Sequence, residues 1–186
     1  YGADSVAFFM SIVIIGAAVF QWPLGWLSDR IDRRLVLVGG SIAGALAAFG
    51  LSAFGGTGEG LLRSYGFVFG GFIIPMFGLA IAHANDHAPE GSRVSVNGGL
   101  LLLHGCGAVA GTIAGAQVMS FFGPGSLFIS IGALYLVVAA FTLYRIMQRR
   151  AVPKAAKEPF SPIPRSPSPV VFEIQEGEAA VENTEK

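Results

Sequence analysis

The chain has 186 residues, 53% of them hydrophobic and 13% charged, with a formal net charge of zero. A soluble domain carries charge on about a quarter of its residues, so this composition cannot coat a water-soluble globule, and hydrocarbon is the better solvent for residues 1–144. Zero net charge, without basic clusters interleaved with aromatics, excludes a nucleic-acid partner, and a single cysteine, Cys106, excludes an intrachain disulfide.

A membrane helix needs about 20 mostly apolar residues. Five runs supply them, at 5–27, 35–54, 64–85, 94–122 and 124–144. None alternates with period two, and backbone in hydrocarbon must bond to itself, so the runs predict helices rather than a barrel. The fold class is therefore an all-α membrane protein with five transmembrane helices in a domain covering 1–146. The first run lacks the basic leader of a signal peptide and outruns its apolar segment. It begins a few residues after Tyr1, with no methionine, which reads as a piece of a longer protein.

Between the first and second runs lies GWLSDRIDRR, residues 25–34. Asp29 sits there at a helix end, where a carboxylate can accept hydrogen bonds from the free N–H groups of a nearby helix start. Arg30, Arg33 and Arg34 can pair with carboxylates or with lipid phosphate. Trp22 and Trp26, one turn apart, fit an interfacial aromatic belt. In the second run Gly40 and Gly44 make a small face of the kind that lets lipid-embedded helices approach closely.

The third run holds Pro75, a potential kink, and closes on HANDH, residues 83–87. His83 and His87 share a helix face with Asp86 nearby, but Ala84 stands where a zinc protease needs glutamate, and a third ligand is not evident. No metal and no cofactor is expected. The cluster His83, Asp86, His87 and Arg93 reads instead as a polar helix end stopped by Pro89, with Asp86 paired to Arg93 or to the arginine strip. In the fourth run Gly107, Gly111 and Gly115 line one face, and His104 lies near mid-bilayer, either a proton or substrate group or a neutral histidine bonded to a neighbouring helix. The tail, 147–186, couples a proline-rich segment to an acidic, aromatic-free end and is expected to stay disordered.

If residues 29–34 are cytoplasmic, every lysine and arginine except Arg63 falls on that side, as the positive-inside rule demands. That places the C-terminus in the cytoplasm and the protein in a plasma membrane, the bacterial inner membrane. No nucleophile–base pair or carboxylate dyad is present, so no enzyme is expected.

Gly25, Leu27, Asp29, Arg30, Arg33 and Arg34 resemble the loop signature of the major facilitator superfamily, roughly G-x-L-x-D-R-x-G-R-R. Asp32 departs from it, standing where the family has glycine. With QWPLGWLSDRIDRR, FGGFIIPMFGLAIAHANDH and GLLLLHGCGAVAG, the chain looks like the YcaD-like subgroup over residues 1–146. The resemblance implies helices eight to twelve of a twelve-helix transporter, an incomplete half whose N-terminal partner half is missing. Helices two to six are the other mapping, less suited to a proline-rich, acid-ending tail. It further implies secondary active transport of a small solute, with proton coupling open, by alternating access. Gly25 to Arg34 would be the cytoplasmic gating loop, and Phe72, Pro75, Met76 and His104 would line the substrate cavity. The helices carrying Gly16 and Gly107 would face the other half, and those starting at Leu35 and Pro124 would face lipid. The alternative is a non-transporting assembly or sensor protein of the same membrane architecture.

Overall fold

The computed structural model describes residues 3–89 and 91–148; most of the expected tail lies outside them. Six helices follow in order: α1 (Ala3–Arg30), α2 (Arg33–Phe54), α3 (Glu59–Ile73), α4 (Pro75–Asn85), α5 (Arg93–Phe122) and α6 (Ser126–Gln148). There is no strand among the described residues. Because α3 and α4 together form one apolar span, Glu59–Asn85, five spans are long and apolar enough to cross a membrane.

Most helices outrun their apolar cores, because a charged last turn keeps its backbone bonds while its side chains reach the headgroups. Thus α1 continues to Arg30, and α3 starts at Glu59, whose carboxylate pairs one turn on with Arg63. By contrast α6 starts at Ser126 rather than Pro124. There Gly123 takes φ 86°, a left-handed conformation suited to glycine, and the Ser126 hydroxyl donates to its carbonyl.

Pro75 divides the third span. A proline has no N–H to offer and its ring crowds the preceding turn, so α3 ends at Ile73 and Pro75 opens α4. The Tyr135 hydroxyl of α6 donates to the Ile73 carbonyl at this break, 3.2 Å away. A tyrosine thus satisfies an acceptor in a place where water is scarce.

Glycine sets how closely the helices pack. A Cβ on Gly70 would lie 2.0 Å from the Val13 carbonyl oxygen, and one on Gly16 would lie 2.1 Å from that of Phe67. The backbones of α1 and α3 therefore touch, a contact no other residue permits. Gly40 and Gly44 of α2 receive Met76 and Ile73, whereas Gly107 and Gly111 of α5 face open space. α2 is the hub, packed on α3 and α6, and α5 buries no residue at all. On α2, expected to face lipid, one side is exposed at Leu35, Ile42 and Leu46 and the other is buried in the bundle.

Candidate functional site

The charged strip closes a two-residue corner between α1 and α2. Ile31 still donates to the Leu27 carbonyl, and Asp32 then caps α2: its side chain accepts from the Arg34 N–H at 3.0 Å, and its carbonyl accepts from Leu35 at 2.9 Å. The cap expected of Asp29 at the start of α2 is thus made by Asp32. Its φ of −63° is open to any residue, so the corner turns without the glycine of the family signature. The same carboxylate holds the Arg34 guanidinium at 2.8 Å.

Arg33 is the centre of the site. One turn back, Asp29 accepts from Nη2 at 2.9 Å, and from across the bundle Asp86 accepts from Nη1 at 3.0 Å. Arg33 is 1% exposed and the Asp86 side chain 2%, whereas that of Asp29 is 35% exposed. The floor beneath is apolar: Leu24, Val36, Met76 and Leu79 form the core, with Phe20, Leu37, Phe72 and Tyr135 against it. Low dielectric beneath the charges strengthens their attraction and raises the cost of leaving any one of them alone. Three elements are thereby joined through one guanidinium: the end of α1, the start of α2 and the end of α4.

The other residues singled out from the sequence occupy distinct places. Gly25 is buried and accepts the Ser28 hydroxyl at 2.8 Å, while Leu27 is exposed. Arg30 is exposed and rests on the Trp26 ring, 3.8 Å from its centroid. His83 and His87 meet edge to face at 4.8 Å, and His87 Nδ1 lies 3.0 Å from the His83 carbonyl oxygen. Arg93 opens α5 at the surface. Of the four residues assigned to a cavity, Pro75 and Met76 are buried and Phe72 lies half-buried against Phe20. His104 is exposed, with its ring 4.2 Å from that of Phe77. Both sets have members on α4: Met76 belongs to the apolar core with Leu24, Val36 and Leu79, and Phe77 beside it meets His104 of α5.

Sequence reasoning missed Asp32 as a cap, Ser28 as a fully buried hydroxyl, and Tyr135 as the partner of the break. Asn85 and Asn97 also went unmarked, and each encloses a side-chain oxygen without a hydrogen-bond partner. An aspartate immediately before a helix start is a readable capping signal. The enclosed polar atoms depend on packing between distant helices, which no local pattern reports.

Five apolar spans, capped at one end by a buried ionic corner, define an all-helical integral membrane protein. The model of the Major Facilitator Superfamily matches residues 1–177, and the chain belongs to that family. Similar proteins include an uncharacterized MFS-type transporter of Enterobacter sp. (strain 638), 29% identical over 137 residues, covering 72% of this chain and 34% of the relative. YcaD of Shigella flexneri, named an uncharacterized MFS-type transporter, is 27% identical over 136 residues, again 72% of this chain and 34% of its own. YfkF of Bacillus subtilis, named likewise, is 32% identical over 127 residues, 67% of this chain and 32% of its own. The chain thus spans about a third of the length of these relatives. No solved structure matches.

Proposed function

We propose that this chain is the C-terminal part, helices eight to twelve, of a secondary active transporter that moves a small solute by alternating access. The observation that carries the reading is the buried Asp29–Arg33–Asp86 network. Two packed bodies that rock about a central site need contacts that lock one state and can be given up in the other. A guanidinium shared between two carboxylates suits that use, because its bonds are strong when dry and replaceable when water enters. It ties the α1–α2 corner to the end of α4 and so fixes the angle of a helix already broken at Pro75.

The bare face of α5 at Gly107 and Gly111 supports a seam toward an N-terminal half, along which backbones could approach closely. Phe72, Pro75 and Met76 then stand at the level where the broken span bends, and His104 is the ionisable group at mid-span of α5, available to a solute or a proton. The charged corner is assigned to the cytoplasmic side of a bacterial inner membrane, with the tail on the same side. Residues 1–146 are assigned to the membrane domain and 147–186 to a separate tail. Lipid surrounds the domain, and the small-molecule substrate enters between the halves.

Transport by the protein translated from the complete reading frame tests this, with Asp29→Asn as the probe. Asp29 is the most exposed member of the network, so the variant should insert and fold normally while solute flux slows by about tenfold, one lost charge-assisted bond in the locked state. Unchanged flux in a normally inserted Asp29→Asn protein would remove the gating role. Absence of flux for any solute in the unaltered protein would remove transport.

A further inference from the structure

The third span is bent by more than Pro75. The ladder of α3 ends with the Ile74 N–H on the Gly70 carbonyl, and α4 starts at Pro75. In an unbroken helix the Ile73 carbonyl would accept from the N–H of Phe77, four residues on. The helix is interrupted at Ile74, and that carbonyl takes the Tyr135 hydroxyl of α6 instead, at 3.2 Å. Two donors thus compete for one acceptor in a place where water is scarce. The way across is left open by α2, which packs on both α3 and α6. A Cβ on its Gly44 would stand 3.1 Å from Ile73 Cγ1 and 3.7 Å from the Tyr135 ring.

We propose that Tyr135 is a positioning residue for the ionic corner, holding α4 at the angle that delivers Asp86 to Arg33. With 11 residues α4 is a rod about 16 Å long, and it is pinned beyond both ends. At one end the Tyr135 hydroxyl keeps the Ile73 carbonyl from the Phe77 N–H, so the span stays bent. At the other, Asp86 accepts from Arg33 at 3.0 Å. Between the pins Leu79 is fully buried, and Met76 fills the space that a Cβ on Gly40 would need. Close packing of this kind passes a change of angle along the rod rather than absorbing it. Once the hydroxyl lets go, the carbonyl regains a donor by straightening the span, and the far end of α4 swings off the Arg33 guanidinium. One element with two discrete arrangements is what a switch between states requires. Every contact involved lies inside the bundle, and none depends on what covers its outer faces. Only the use of this motion in transport rests on the function proposed above; the pinning itself does not.

The test changes the near end of α4 and measures the far end, without any solute. In the protein from the complete reading frame, with Cys106 and any other cysteine replaced by alanine, spin labels are placed at Leu35→Cys and His87→Cys. Leu35 is exposed at the start of α2 and His87 just past α4, so spin resonance reads the distance between the hub and the end of the rod. Tyr135→Phe keeps the ring and its packing and removes only the hydroxyl. The displaced share of the distance distribution should rise about fivefold, the net worth of one hydrogen bond. Phe128→Leu removes a different contact between the same two helices, the edge-to-face pair with Phe69 at 5.7 Å, and should leave the distribution as it was. An unchanged distribution in Tyr135→Phe would overturn the proposal. Equal broadening in both variants would overturn it as well, since loosened packing of α6, and not the hydroxyl, would then move α4.

Discussion

Three aspartates lie within or against the strip, and their surroundings give each a different worth. Asp86 is the most deeply enclosed and faces a guanidinium that is itself buried. Removing its charge leaves Arg33 with one carboxylate in a dry place, and breaking a buried pair costs about 3–5 kcal/mol. Asp86→Asn should therefore lower unfolding stability in detergent by about 3 kcal/mol, read from denaturant titration of helical circular dichroism. Asp32 works mainly as a helix cap, so Asp32→Ala should cost about 1 kcal/mol, and Asp32→Gly, the family residue, only a few tenths. Equal losses for Asp86→Asn and Asp32→Ala would mean that burial does not govern the network. At this scale the sequence was readable where charge was concerned: six residues of the strip matched a signature, and Asp86, expected to pair with Arg93 or with the arginine strip, meets Arg33 of that strip. It was misread where geometry decided. Asp32 looked like a departure from a glycine turn, yet its ordinary φ and its bond to the Arg34 N–H make it the residue that starts α2.

The apolar runs announced every span, because length and lack of charge are properties of the runs themselves. What the runs could not announce was which glycines meet a neighbour. Spacing every four residues marked Gly107, Gly111 and Gly115, and two of these face open space; the closest backbone contact is made by Gly16 and Gly70, on different helices, and although Gly70 follows Gly66 by four residues, Gly16 has no such repeat to reveal it. A glycine pair across two helices is a fact of crossing geometry, visible only once both axes are fixed. The contrast gives a direct test. Gly70→Ala puts a methyl against the Val13 carbonyl and should separate α1 from α3, lowering the amount of folded protein recovered from membranes at least threefold, since overpacking against backbone costs about 1–3 kcal/mol. Gly107→Ala meets nothing within this chain and should leave its folded yield unchanged. In the protein from the complete reading frame the same Gly107→Ala should impair transport, because the α5 face would then be a seam. Normal flux in that variant would show that α5 lies against lipid.

Five spans carry the chain from one side of the membrane to the other, so one loop fixes all the rest. Among the described residues Arg30, Arg33, Arg34, Arg93 and Arg145 lie at one end of the bundle, and Arg63 lies at the other. Two of the five, Arg33 and Arg34, are neutralised by buried or half-buried carboxylates. That does not weaken their topological effect, because orientation is counted in lysine and arginine and acidic residues contribute little. Sidedness therefore follows from residues that the folded protein later hides, and it is open to measurement before any substrate is known. In a Cys106→Ala background, a single cysteine at Gly56, in the turn between α2 and α3, has open space around it. A second single cysteine at Ser92 precedes α5 on the arginine-rich side. A membrane-impermeant maleimide should label the Gly56→Cys protein in intact cells, and the Ser92→Cys protein only after the membrane is opened. The reverse pattern would turn the bundle over, moving the ionic corner, and with it the proposed gate, to the outer face.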